Sequence, residues 1–142
     1  MKIIINLLFS GNCREAFEHY EKVLGGEIRA MMPFGSQPQE ATFAKDFPEA
    51  IMHAWLQVGD QAIMGGDAPP ARRQAMAGFT ASIHFEDPAE ARRVYEGLAE
   101  GGSASMPFGP TFWSPGFGVL TDRFGTPWTI NCEAPRAEGG AG

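Results

Sequence analysis

Two stretches of this chain open a helix in the same way, one constant step apart. Asn12-Cys13-Arg14-Glu15-Ala16 sets a capping residue three positions before a glutamate. Asp87-Pro88-Ala89-Glu90-Ala91 does so again, with proline at the first helical position. In each, the cap oxygen is expected to accept an orphan backbone N–H while the glutamate reaches back. The step from Asn12 to Asp87 is 75 residues, and it also pairs Ala16 with Ala91, Tyr20 with Tyr95 and Gly26 with Gly101. A chain that repeats itself at this spacing folds as two copies of one supersecondary unit.

The pattern around each helix says what that unit is. The first helix is expected from Asn12 to about Leu24, stopping at Gly25-Gly26; the second from Asp87 to about Ala99, stopping at Gly101-Gly102. Ala16, Phe17, Tyr20, Val23 and Leu24 make an apolar stripe on one, and Ala91, Val94, Tyr95 and Leu98 on the other. Helical spacing of this kind packs onto a sheet. Strands are expected before the helices at Ile3–Phe9 and Phe79–Phe85. Three more follow each helix: Glu27–Met32, Ile51–Val58 and Gln61–Met64, then Ser103–Met106, Phe117–Thr121 and Pro127–Cys132. Gly59-Asp60 and Arg123-Phe124-Gly125 read as hairpin turns. The fold class is therefore α+β, βαβββ twice over. One domain is expected over 1–133, with modules at about 1–66 and 79–133 and a linker at about 67–78. The linker composition begins at Gly65-Gly66. The Gly/Ala-rich tail, 134–142, is expected to be disordered.

Composition narrows the function. A net charge of -6 leaves no Lys/Arg stripe to neutralise phosphates, so no nucleic-acid partner is expected. No apolar run approaches the roughly 20 residues needed to span a bilayer, and no membrane partner is expected. The N-terminal run Met1-Lys2-Ile3-Ile4-Ile5 leads straight into a capping sequence, without a small-residue cleavage site, and reads as a strand of a cytoplasmic protein. Cys13 and Cys132 are too few for a disulfide framework or a zinc set. Cys13 falls in a first helical turn, where the dipole favours a thiolate, but a small packing residue is the preferred reading.

Four segments, Gly11-Asn12-Cys13-Arg14-Glu15-Ala16-Phe17, Met52-His53-Ala54, Thr111-Phe112-Trp113 and Thr121-Asp122-Arg123-Phe124-Gly125-Thr126-Pro127-Trp128-Thr129-Ile130-Asn131, occur in this order. With the duplicated module they resemble the vicinal oxygen chelate superfamily of glyoxalases, bleomycin- and fosfomycin-resistance proteins and extradiol dioxygenases. Within it the chain looks like the PhnB-like branch. The resemblance implies a curved mixed sheet, with two half-barrels enclosing a cavity often completed across a homodimer interface. In metal-dependent members, His and Glu from the first and last strands of the modules hold a cation, a Lewis acid toward vicinal oxygens. Members of the branch carry a ubiquinone-methyltransferase label. No Gly-rich strand-to-helix nucleotide loop stands in this sequence to support it.

Strand parity puts Thr80, Ser82 and His84 on the cavity face, opposite the apolar Ala81, Ile83 and Phe85. It leaves Thr129 and Asn131 inward and Trp128, Ile130 and Cys132 toward the helix. Carried back by 75 residues, the same parity turns Ile3, Ile5 and Leu7 inward. The metal positions implied by the resemblance then fall on Ile5, a residue near Met64, Thr80 and Thr129, none of them His, Glu, Asp or Cys. No metal and no other cofactor is expected. His84 lies some 13 Å along the strand from Thr80, too far to replace a lost ligand. His53 shares a face with Trp55, where a cavity-lining and a structural role are equally open; His19 sits on a helix and is expected to be solvated. The catalytic candidates, if there is a reaction, are His53 and His84 as general bases.

The run Pro107–Phe117 is aromatic and proline-rich, suited either to covering a ligand or to a plug or dimer contact. Met64, Phe112, Trp113 and Trp55 are the apolar ligand-binding candidates, with Thr80, Ser82, Thr129 and Asn131 as the polar ones. The expected function is metal-independent binding of a small, partly apolar molecule by a homodimer. The alternatives are a metal-dependent lyase or dioxygenase and a metal-free enzyme with a histidine base.

Overall fold

The computed structural model describes residues 1–36 and 45–134 and divides into two compact units, Met1–Met76 and Ala77–Gly142. The expected tail lies outside the described residues except for Ala134.

In the first unit the order is β1 (Asn6–Phe9), α1 (Cys13–Leu24), β2 (Glu27–Pro33), β3 (Ile51–Val58) and β4 (Gln61–Asp67). The sheet runs β1-β4-β3-β2, with β1 parallel to β4 and the other neighbours antiparallel. Helix α1 buries Cys13, Ala16, Phe17, Tyr20 and Val23, while Leu24 stays partly exposed. Phe9 meets Phe17 edge to face at 6.1 Å. Rings of this size contribute about 1.5–3 kcal/mol each on burial.

The glycines that read as the start of a linker belong to β4, which runs three residues past Met64. A Cβ on Gly65 would stand 2.6 Å from the Phe17 ring, and one on Gly66 would stand 2.8 Å from the Met52 carbonyl oxygen. They are glycine because the helix and β3 occupy that space, not because the chain turns there.

The end of β4 delivers the carboxylate that fixes the unit. Asp67 is 5% exposed. Its Oδ1 accepts the backbone N–H of Gly11 and of Cys13, each at 3.0 Å, and its Oδ2 accepts that of Ile51 at 2.8 Å. Asn12, the expected side-chain cap, makes no such bond. A carboxylate from a distant strand has taken its place, at a helix end whose dipole favours negative charge.

The second unit repeats the order: β5 (Ala81–Phe85), α2 (Pro88–Ala99), β6 (Ser103–Gly109), β7 (Gly116–Thr121) and β8 (Pro127–Cys132). Its sheet runs β5-β8-β7-β6, with β5 parallel to β8. Asp87 caps α2 as expected, accepting from Ala89 N–H at 3.0 Å. Glu90 turns instead to Arg93, so the reciprocal half of the box is not made. The buried face is Ala91, Val94, Tyr95 and Leu98, and Tyr95 donates its hydroxyl to the Met106 carbonyl at 3.1 Å. Strand β6 is three residues longer than expected, because Phe108 packs between Tyr95, at 5.6 Å, and the Arg92 guanidinium, at 4.9 Å. Asp122 is buried in the β7–β8 turn, where it accepts from Phe124 N–H, Thr126 N–H and Trp128 Nε1–H at 2.8–2.9 Å.

The step of 75 holds for the helices only. Phe9 and Phe85 end the first strands of the two units, and their carbonyls accept equivalent N–H groups, of Ala68 and Glu133. That is a step of 76. The left-handed glycines beyond the helices, Gly25 and Gly101, both at φ 75°, keep the same step. The loop before α1 is one residue longer than its counterpart, and the loop after α1 is one shorter. The parity carried across by 75 is therefore inverted in β1. Leu7 and Phe9 are buried, whereas Asn6 and Leu8 are exposed, so the expected inward turn of Leu7 is wrong.

Asp67→Ala removes the acceptor of three backbone donors at once. It is expected to cost about 3–4 kcal/mol in chemical denaturation, with Asp67→Asn recovering part of the loss.

Candidate functional site

Each sheet has one face under its helix and one face turned away from it, and the candidate side chains collect on the second kind. In the second unit, register partners share a face. Ser82 lies beside Thr129 and Val119, and His84 beside Asn131 and Phe117. Thr80, one residue before β5, places its Oγ1 2.8 Å from that of Thr129. Ser82 Oγ is 3.0 Å from His84 Nε2, and Asn131 Nδ2 is 3.2 Å from His84 Nδ1. The amide can only donate, so with this orientation Nδ1 accepts and Nε2 carries the hydrogen that goes to Ser82. Both ring nitrogens are thus engaged by neutral neighbours, and neither presents a lone pair for proton abstraction. Asn131 Oδ1 is buried and has no partner among the described residues.

Aromatic groups flank this ladder. Trp113 stands edge-on to Phe117 at 5.2 Å. Phe112 touches Trp113 edge-on at 4.9 Å and is 97% exposed.

In the first unit the corresponding face carries Ala30, Trp55, Met64 and Asn6 in one row across the sheet, with Met32 beside His53 and with Leu8 further along β1. Trp55 donates its Nε1–H to Gln57 Oε1 at 2.9 Å. Met32 and Leu8 are exposed there, which makes this a sulfur- and ring-lined surface where the other sheet is a hydroxyl- and amide-lined one. His53 and Trp55 share a face as expected, and His19 is half-buried on α1. Asn6 was hidden from sequence reasoning by the inverted parity, and Phe117 by its place at the end of a loop-like run. The alternation of β7 would have found Phe117, since Val119 and Thr121 share its face.

Comparison with known proteins places the chain. A family model described as 3-demethylubiquinone-9 3-methyltransferase matches residues 1–131. The chain belongs to that family. It is 36% identical over 133 residues to protein YjdN of Escherichia coli strain K12, covering 88% of this chain and 90% of that protein. Among solved structures, protein PA1353 from Pseudomonas aeruginosa is 47% identical with a TM-score of 0.86, over 94% of this chain and 98% of that one. A Bacillus cereus PhnB protein carrying the same methyltransferase label shares the fold at 23% identity and TM-score 0.79, over 93% and 99% of the two chains. A glyoxylase/bleomycin resistance protein/dioxygenase domain from Frankia sp. EAN1pec shares it at 11% identity and TM-score 0.64, over 94% and 98%. The glyoxalase/bleomycin-resistance fold and the PhnB-like branch, read as a resemblance from the sequence, are thus borne out.

The metal that the sequence resemblance implies can be tested against the residues this chain presents. Thr80 and Thr129 spend hydroxyl capacity on each other. With the step corrected to 76, the counterpart of Thr80 is Ile4 rather than Ile5, which is no better a ligand. Two hydroxyls and an alkyl group do not suit a divalent cation. Among the described residues no three His, Cys, Asp or Glu side chains come together as a set.

Both cysteines are buried. Burial, helped by the Asp67 charge, pushes the Cys13 thiol up to about 12, against an ordinary value of 9.0. The first-turn dipole does not win here, and the packing reading of Cys13 holds. The thiol stays neutral in the fold while its unfolded counterpart ionises from about pH 9. The contribution to stability is thus complete below pH 9 and is lost as pH rises toward 12. Stability is expected to fall by about 1 kcal/mol more per pH unit above pH 9 in the native chain than in Cys13→Ala, read from denaturation midpoints.

Proposed function

We propose that the chain is a small-molecule binding protein that takes a partly apolar guest on its open sheet faces without a metal. The observation that carries this is the second sheet's face. There a ladder of neutral hydrogen-bonding groups, Thr80, Thr129, Ser82, His84 and Asn131, lies beside the Phe117 and Trp113 rings. A few placed polar groups against aromatic area is the usual make-up of a small-molecule site. The methyl transfer in the family's description finds no support in the residues. The chain has no Gly-rich strand-to-helix loop to cradle a nucleotide-bearing donor. No helix among the described residues is long and apolar enough to cross a membrane.

Native mass spectrometry of protein purified without chelator tests the reading directly. A retained organic mass, or one acquired from a small-molecule extract, is expected. Stoichiometric nickel, zinc or iron would replace it with the metal-dependent lyase or dioxygenase alternative.

We also propose that the protein works as a homodimer, because a fully exposed Phe112, edge-on to Trp113, is apolar area that a partner would cover. Light scattering at micromolar concentration is expected to give twice the chain mass of 15.4 kDa, and Phe112→Ser to shift it toward the monomer. A monomeric native mass would end this proposal.

A further inference from the structure

The open face of the second sheet says more than that something binds; it selects by charge and by hydrogen-bond direction. We infer that its guest is an uncharged molecule of about two fused aromatic rings carrying a hydrogen-bond-accepting oxygen. This rests on the binding reading above and narrows it.

The first argument is charge. The protein has 17 acidic residues and 11 Lys and Arg, yet β5, β6, β7 and β8 contain none of either. An ionic guest lying against Ser82, Thr129, Asn131 and Phe117 would lose water and gain no counter-charge. A neutral guest loses little.

The second argument is direction. With the Asn131 amide oriented Nδ2 toward His84, Nδ1 accepts and the Nε2 hydrogen goes to Ser82. Ser82 accepts in this network, so its own hydroxyl hydrogen is left for a guest. In the Thr80–Thr129 pair one hydrogen lies between the two oxygens, and the other is left over. The threonine that accepts keeps its own hydrogen: Thr129 stands about 5 Å from Ser82, one strand spacing, and Thr80 about 7 Å away, two residues along the chain, so either leaves a second donor near Ser82. A surface that offers O–H donors calls for a carbonyl, ether or phenolic oxygen. The chain Asn131–His84–Ser82 is what keeps the Ser82 hydrogen pointed outward, which makes His84 and Asn131 positioning residues.

The third argument is reach. Phe117 pairs with Asn131, which pairs with His84, so the aromatic edge lies two strands from the Ser82–His84 strand. Two spacings of about 4.8 Å reach His84 at roughly 10 Å, and Ser82, two residues along the strand, lies on a diagonal of about 12 Å. A guest that rests on Phe117 and Trp113 and still places an oxygen at Ser82 has about the length of a naphthalene bearing one carbonyl group. Trp113 meets Phe117 edge-on at 73° and is 47% exposed, so part of this aromatic area is open to a flat guest.

The test is calorimetric titration of the full chain with four two-ring probes. They are 2-acetylnaphthalene, 2-methylnaphthalene, naphthalene-2-sulfonate and 2-naphthylmethylammonium. The ketone is expected to bind saturably, one per chain, with both ions at least about tenfold weaker. Ser82→Ala is expected to weaken the ketone about three- to tenfold, the worth of one hydrogen bond, and to leave 2-methylnaphthalene unchanged. Ser82→Thr keeps the hydroxyl and is expected to restore ketone binding. Asn131→Ala, which frees His84 to turn, is expected to act like Ser82→Ala. Either ion binding as tightly as the ketone overturns the inference, as does a ketone affinity indifferent to Ser82→Ala. Failure of the ketone to bind overturns it too. None of these outcomes touches the broader binding reading, which stands or falls on the retained mass.

Discussion

A single buried carboxylate sets the geometry of the first unit. Asp67 sits where β4 ends, α1 begins and β3 starts, and it holds one backbone N–H from each of the last two elements and one from the loop before α1. No backbone acceptor could serve all three, because a carbonyl reaches along one direction and the carboxylate reaches along two. The consequences spread outward. The same negative charge that suits the start of a helix helps hold the Cys13 thiol neutral. The strand that delivers it must run on through Gly65 and Gly66, where only glycine fits under Phe17 and beside Met52. The second unit meets the same need differently. Its helix is capped by the neighbouring Asp87, and its buried carboxylate, Asp122, closes the β7–β8 turn instead.

Much of this fold was legible because it rests on local chemistry. The helices were visible through their spacing, their glycine stops and the Asp87 cap, and most strands through alternation. What escaped was non-local. Asn12 looks like a cap, and nothing nearby in sequence says that Asp67 performs the task from 54 residues away. Gly65-Gly66 looks like a turn, since composition cannot distinguish a glycine that bends from one that makes room. The largest miss came from a repeat that is real but not rigid. Helices tolerate a one-residue change in loop length without changing which residues they bury. A strand does not, because its faces alternate at every residue. Leu7 and Asn6 exchanged roles on that account alone.

The segment Thr121–Asn131 shows how structural and chemical roles separate. Asp122, Thr126 and Trp128 are buried, joined through Asp122, and shape a turn around Gly125 at φ 99°. The turn depends on them. The residues with chemistry to offer, Thr129 and Asn131, lie in the same segment but on the other face, interleaved one for one with the buried set. One short segment therefore carries both the turn and part of the open face.

That interleaving also explains how the scaffold can keep its architecture while its donor set changes. In β8 every second side chain, Trp128, Ile130 and Cys132, belongs to the core under α2, and the alternate ones are only partly buried. A His or Glu replaced by Thr on the open face costs the fold almost nothing, since no packing is lost. What it changes is the kind of molecule the face prefers. A cation site draws oxygens by charge; hydroxyls joined to a histidine and a carboxamide draw them by hydrogen-bond direction, and in a sheet without charged residues that preference extends to the charge of the whole guest. The selectivity argued for the second sheet is thus a property of the empty charge column in β5 to β8 as much as of Ser82 itself.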